Sequence, residues 1–412
     1  MNVTITPTKL EGTVIPPPSK SQAHRVLIAA ALADGVSRID NIAPSQDIEA
    51  TVGCLEQLGA AFERNGSAVT VRGLGANAMS PLRRMAPPRL DCGESGSTLR
   101  FLIPVALAVR GGGIFDRRGR LMERPQKPYL DLFDEKGIFY GQNNGALTVQ
   151  GLLIPGEYRL PGDVSSQFVT GLLYALPLLD GDSEIVLTSP LESRGYVDMT
   201  LDALGLFGIC PEARENGFFI PGNQRYQSQD FAIEADWSQA GFWYAAKLLG
   251  SPLDVDGMDP GSAQGDRVIL EQYTELAGPG SVELDVSHCP DLVPPLAAMA
   301  ALRTGRATRL INAARLRLKE SDRLDAVTRV LGALGADVTE GPDSLTIRGK
   351  DSLTGGVKVD SFNDHRIAMM AAVAATRCVK PITITGAQCV AKSYPNFWED
   401  YERSGGRIQR SE

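Results

Sequence analysis

Basic residues stand at the openings of apolar helices in this 412-residue chain, where helix physics alone would not place them. Ser19-Lys20-Ser21 precedes the run QAHRVLIAAALA, so Ser19 is positioned to cap, Lys20 falls in the first turn, and Arg25 lies four residues past Ser21 on the same face. Glu320-Ser321-Asp322-Arg323 and Asn363-Asp364-His365-Arg366 open two further helices, and Asp291 opens another after a proline. The start of a helix carries partial positive charge and unpaired N–H groups, so a cation there is disfavoured unless an anion sits beside it. The same features bind anions. Gly93-Glu94-Ser95-Gly96-Ser97-Thr98 precedes LRFLIPVALAV, and Gly96 lets backbone N–H groups approach a ligand with no side chain in the way. Ser165-Ser166-Gln167 opens FVTGLLYALPLL. Two readings stay open. Either Ser and Asp cap these helices for structural reasons and the cations form a solvated face, or several helix ends converge on an anionic ligand.

The elements that carry these residues repeat. A helical apolar stripe, a Gly stop, a short strand, a turn and a second strand occur at residues 51–73, with Gly59 as the stop and Asn65-Gly66 as the turn, and again at 327–349. Weaker copies span 129–151 and 200–222. Between them lie near-continuous apolar runs at 98–109, 166–179, 239–249, 292–302 and 366–375, which predict buried helices. A βαβαββ unit used several times gives an α/β fold with helices inside and sheets outside. A conventional α/β sandwich fits the same periodicity.

At 412 residues the chain exceeds what one core usually organises, so two domains are expected. A formal charge of −8 argues against a large nucleic-acid or anionic-membrane surface and points to small-molecule partners. The N-terminus lacks a basic segment followed by an apolar core, and no stretch approaches the roughly 20 apolar residues of a membrane helix. The expected location is the cytoplasm. Six scattered cysteines without a Cys-x-x-Cys pair, and three histidines without ligand spacing, predict structural thiols and no metal.

Nine segments in order give the resemblance its specificity. They are PPPSKSQAHR at 16–25, GESGSTLR at 93–100, MERP at 122–125, SSQF at 165–168, ESRGY at 192–196, PD at 290–291, LKESDR at 318–323, NDHR at 363–366 and AKSYP at 391–395. On these the chain resembles, end to end, the 5-enolpyruvylshikimate-3-phosphate synthase family of enolpyruvyl transferases. The resemblance implies two domains of three βαβαββ units each, one over 17–234 and the other over 1–16 with 235–412, and an active site in the cleft between them. It implies transfer of the enolpyruvyl group of phosphoenolpyruvate to the 5-hydroxyl of shikimate 3-phosphate, without metal or organic cofactor, by a monomer. Binding of both anions would draw the domains together and exclude water.

By the same resemblance, shikimate 3-phosphate is held by Lys20, Ser21, Arg25, Ser165, Ser166, Gln167, Ser193, Tyr196, Asp291 and Lys319. Phosphoenolpyruvate is held by Lys20, Gly96, Arg124, Gln167, Arg323, Arg366 and Lys392. Ligands rich in phosphate and carboxylate need several cations, and Arg suits bidentate binding. Asp291 stands near the attacking hydroxyl, Glu320 exchanges the C3 proton, and Lys20 transfers a proton or stabilises charge. Gly96 also leaves room for phosphoenolpyruvate mimics such as glyphosate.

Some positions depart from the family pattern. Glu94 stands where many relatives have Asn and is assigned no substrate contact, and Arg315 replaces a substrate-binding Asn and is likewise left out. Pro18 replaces a Gly and stiffens the approach to Ser19. His365 reads equally as a ligand-facing donor and as a core histidine. The nearest rival is the enolpyruvyl transferase acting on a UDP-amino sugar, which usually carries a Cys in the loop that here reads GGGIFDRRGRLMERP, without one. A non-catalytic or RNA-end-binding protein of related repeats is the rival of another class, and the acidic charge together with Asp291 and Glu320 speaks against it.

Overall fold

Each of three sheets within residues Pro18–Glu234 has four strands in the same connection order. In the middle block, strand Arg89–Asp91 pairs parallel with Gly112–Asp116 across the helix Gly96–Arg110. Helix Lys127–Lys136 then leads to a hairpin, in which Ala146–Gln150 lies antiparallel on Gly112–Asp116 and Phe139–Asn143 forms the edge. Residues Gly156–Ile220 repeat the arrangement around helices Ser166–Ala175 and Arg194–Leu206. The block around helices Lys20–Leu32 and Gln46–Leu58 lacks a leading strand of its own in sequence. Phe231–Ala232, at the far end of this stretch of chain, supplies it by pairing parallel with Val36–Asp40. The computed structural model describes residues 1–75 and 86–412.

Met1–Pro17 and Ala235–Glu412 form a second unit. Residues Val282–Arg348 make one complete block. Another is closed by the N-terminus, where Asn2–Thr6 lies between Ile382–Thr385 and Arg407–Ser411, antiparallel to both. The remaining block departs from the expected pattern. Gly12–Val14 pairs parallel with Leu253–Val255 over helix Trp237–Leu248, and among the described residues no hairpin closes it. Helix Ile269–Ala277 is joined to the next strand, Val282–Asp285, by Gly278 to Ser281 alone, a connection too short for two strands and a turn.

The helices of the long apolar runs are buried, as their sequences predict. Every residue of His365–Ala375 and Val293–Ala300 is buried, and so is Lys20–Leu32 from Gln22 onward. The first strands of the hairpins, such as Ala61–Asn65, are largely exposed. Helices inside and sheets outside is therefore the architecture, and the conventional sandwich is not. Close approach of two central helices needs Gly171, where a Cβ would lie 2.3 Å from both the Arg100 carbonyl oxygen and Tyr129 Oη. No helix among the described residues is long and apolar enough to cross a membrane.

Candidate active site

Ser19, Ser165, Asp322 and Asp364 cap their helices, whereas Asp291 lies within the turn Pro290–Leu292 before helix Val293–Ala300 and caps neither. Ser19 Oγ accepts from Gln22 N, Ser165 Oγ from Gln167 N, Asp322 Oδ1 from Asp325 N at 3.2 Å and Asp364 Oδ1 from Arg366 N at 3.0 Å. The structural reading of these residues thus holds, and it leaves the neighbouring side chains to be placed.

In the unit Pro18–Glu234, Lys20 Nζ donates to Asp47 Oδ2 at 2.8 Å, with both side chains 14% exposed. Arg25 is buried and spreads its donors over Thr200 Oγ1 at 2.8 Å, the Ser21 carbonyl at 2.7 Å and the Tyr196 carbonyl at 2.8 Å. Burial lowers its pKa to about 10, which leaves it charged at neutral pH. Ser193, also buried, takes a left-handed backbone with φ of 55° at the start of the helix that carries Tyr196. Gln167 accepts from Arg100 Nη1 at 2.8 Å and donates to Ser97 Oγ at 3.0 Å, which ties the start of Ser166–Ala175 to the start of Gly96–Arg110. Ser166 is buried beside it. Gly96 packs on Arg124: a Cβ there would stand 2.6 Å from Nη1 and 2.9 Å from Cζ. The absent side chain therefore makes room for a guanidinium of this chain, as well as for backbone access.

In the other unit a second group forms around Arg323, which is 1% exposed. Its Nε donates to Asp364 Oδ2 at 2.8 Å, Nη1 to Asp291 Oδ1 at 2.8 Å and Nη2 to Glu320 Oε2 at 2.6 Å. Arg366 Nη2 donates to Asp291 Oδ2 at 2.9 Å and to Ser238 Oγ at 3.0 Å, and Lys319 Nζ lies 3.6 Å from Asp291 Oδ1. Lys392 Nζ donates to the Asn363 carbonyl at 2.7 Å, one residue before Asp364. Burial favours the neutral form of Asp291, but Arg366, Lys319 and Arg323 outweigh it and hold the carboxyl well below the usual range. Burial also lowers Lys319, to about 8, against the opposing pull of Asp291. Arg323 stays fully charged because Asp364, Glu320 and Asp291 outweigh its own burial.

This corrects one sequence inference. The cation in the first turn at Arg323 has an anionic partner within the chain, a set of three carboxylates, and Lys20 has Asp47. The reason is geometric: the carboxylates come from other helix ends, and spacing along one helix cannot reveal them. Asp47, Arg100 and Ser238 were not singled out from sequence. A faint signal existed for Asp47, which sits in the first turn behind the cap Ser45. Arg315 donates to the Ser287 carbonyl, and the Glu94 carboxylate lies against Gly119, where an added Cβ would come within 2.7 Å of Cδ. His365 is 1% exposed, with Nδ1 3.9 Å from Asp364 Oδ1. Among the described residues, no group of three His, Cys, Asp or Glu side chains is placed to hold a metal ion.

The family model of EPSP synthase (3-phosphoshikimate 1-carboxyvinyltransferase) matches residues 5–401. The 3-phosphoshikimate 1-carboxyvinyltransferase of Clostridium kluyveri is 47% identical, with 98% of each chain covered. That of Clostridium novyi is 43% identical, covering 99% of this chain and 98% of its own. Among solved structures, an EPSP synthase from Acinetobacter baumannii superposes with a TM-score of 0.80 at 24% identity, covering 99% of this chain and all of the other.

Proposed function

The chain belongs to the EPSP synthase family, and we propose that the helix-end residues of each unit serve the substrates of that family's reaction. The enzyme transfers the enolpyruvyl group of phosphoenolpyruvate to the 5-hydroxyl of shikimate 3-phosphate and releases phosphate, a step of aromatic amino-acid biosynthesis. The UDP-amino sugar reading and the non-catalytic reading are not favoured beside that match. We place the reaction in the cytoplasm, in a monomer that binds neither nucleic acid nor membrane.

The observation that carries the residue roles is the sharing of one buried guanidinium by two carboxylates, Asp291 at 2.8 Å and Glu320 at 2.6 Å. Transfer needs one base for the hydroxyl and one group to move a proton at C3, held at separate atoms. The 5-hydroxyl oxygen forms a bond to C2 as its proton passes to Asp291, and C3 takes a proton from Glu320, which is in its acid form in the substrate complex, to become a methyl group. The C2–O bond to phosphate then breaks, the electron pair leaves with the phosphate, which takes up the proton held by Asp291, and C3 returns a proton to Glu320.

While Arg366, Lys319 and Arg323 face Asp291, it is a weak base. Substrate phosphate and carboxylate groups draw on the same cations, so binding loosens that hold and raises the proton affinity of Asp291 where the hydroxyl arrives. Lys319 contacts shikimate 3-phosphate, and Arg323, Arg366 and Lys392 contact phosphoenolpyruvate. In the other unit Lys20, Ser21, Arg25, Ser165, Ser166, Gln167, Ser193 and Tyr196 bind shikimate 3-phosphate. Lys20, Gln167, Arg124 and the backbone at Gly96 serve phosphoenolpyruvate, with Lys20 also neutralising the departing phosphate.

The test of these roles is the C3 proton itself. In D2O the product should carry solvent deuterium at its CH2 group, and Glu320→Gln should lose turnover by about 10²–10⁴-fold while still binding both substrates. A Glu320→Gln enzyme with near-normal turnover and deuterium incorporation would remove Glu320 from the mechanism.

A further inference from the structure

His24 lies between Lys20 and Arg25 on the helix Lys20–Leu32, yet it faces the interior, 1% exposed, with the Phe101 ring edge-on at 6.3 Å. Its Nδ1 is 2.8 Å from Thr51 Oγ1. Thr51 Oγ1 is 2.6 Å from Thr98 Oγ1, which lies 2.7 Å from Ser95 Oγ and 3.4 Å from the Asp47 carbonyl oxygen. Thr51 and Thr98 are fully buried, and Ser95 is 1% exposed. One chain of hydroxyls thus joins three helices. It begins one turn after Lys20, crosses Gln46–Leu58, and ends on the cap of Gly96–Arg110, whose Ser95 Oγ also accepts from Thr98 N at 3.2 Å.

The direction of the chain follows from the other ring nitrogen. His24 Nε2 is buried and has no hydrogen-bond partner among the described residues. Burial and the charges of Lys20 and Arg25 keep the ring neutral, so one nitrogen carries the proton. A proton on Nε2 would leave a buried N–H without an acceptor, whereas a proton on Nδ1 leaves only a bare lone pair, and orphaned buried N–H groups are the rarer of the two. With Nδ1–H donating to Thr51, Thr51 donates to Thr98, and Thr98 is left to donate to Ser95 Oγ.

We propose that His24 is a positioning residue for phosphoenolpyruvate. As the Nδ1–H tautomer it orders the hydroxyls of Thr51, Thr98 and Ser95 in one direction and so fixes the start of the helix at Gly96 against Arg124. This rests on the assignment of Gly96 and Arg124 to phosphoenolpyruvate. His24 itself touches no substrate.

Two measurements on the full chain test it. Long-range ¹H–¹⁵N correlation spectra of the labelled protein, with His24→Asn to identify the ring, should show His24 as the Nδ1–H tautomer. An Nε2–H tautomer overturns the proposal. In kinetics, His24→Leu should raise the KM for phosphoenolpyruvate by on the order of tenfold, the loss of about one hydrogen bond, and leave the KM for shikimate 3-phosphate within about twofold. His24→Asn, whose amide can donate from the Nδ1 position, should restore most of the affinity. Thr51→Val should resemble His24→Leu, and the double variant should be no worse than either alone, because the chain acts as a unit. Unchanged affinity in His24→Leu, equal loss for both substrates, or additive effects in the double variant would each overturn the role. If the unsubstituted enzyme releases no phosphate with shikimate 3-phosphate, the reading of the site fails instead.

Discussion

Gly96 and Arg124 define one contact at which a single methyl group should be felt. Gly96→Ala would put a Cβ 2.6 Å from Arg124 Nη1, so the guanidinium must shift away from the helix start. The expected outcome is a rise in KM for phosphoenolpyruvate of about tenfold or more with a smaller change for shikimate 3-phosphate, read from steady-state kinetics. Equal affinity would mean that Arg124 has no part in binding. Lys319 offers a second residue-scale outcome, in pH. Its pKa near 8 makes the ammonium give way to the amine as pH rises through 8, so the KM for shikimate 3-phosphate should climb there, and Lys319→Arg should flatten that climb. The stability sign is separate. Because the folded pKa lies below the unfolded value of 10.5, the folded state bears the cost of a buried ammonium below about pH 8. That cost is relieved between pH 8 and 10.5. At this scale the sequence showed which cations and carboxylates to watch, through their places at helix starts and through the family segments. It did not show their pairing. Asp291, Glu320 and Asp364 lie up to 73 residues apart and meet only on Arg323, and a contact of that span leaves no trace in local spacing.

The helices that carry these residues were legible because burial on all sides leaves a continuous apolar run, and the hairpins were legible where a Gly stop and a turn lay between two strands. Two blocks are not legible as repeats in the sequence, for different reasons. One has its closing strand at the other end of the chain, in Asn2–Thr6, so no contiguous copy exists to be found. The other has no hairpin among the described residues. Gly171 was legible only as a glycine inside an apolar helix, and its purpose is visible once Arg100 and Tyr129 are seen against it. Gly171→Ala should destabilise the fold by about 1–3 kcal/mol, as overpacking in a close-packed core does. Thermal or denaturant unfolding should therefore shift to lower temperature or concentration. An unchanged midpoint would show that the helix pair can separate at no cost.

At the scale of the whole chain, each of the two units carries its own set of polar helix ends, built on the same kind of block. In one unit Arg25, Gln167 and Arg124 are held by backbone carbonyls, a hydroxyl and a glycine, which suits binding. In the other, Arg323 gathers three carboxylates, which suits proton transfer beside bound anions. A reaction that joins two phosphorylated substrates and moves protons at two atoms asks for both. The most direct test is phosphate release from phosphoenolpyruvate by the purified full chain, measured alone, with shikimate 3-phosphate, and with a UDP-amino sugar. Release is expected only with shikimate 3-phosphate, at one phosphate per enolpyruvyl group transferred. Release with the UDP-amino sugar instead, or with neither acceptor, would contradict that expectation.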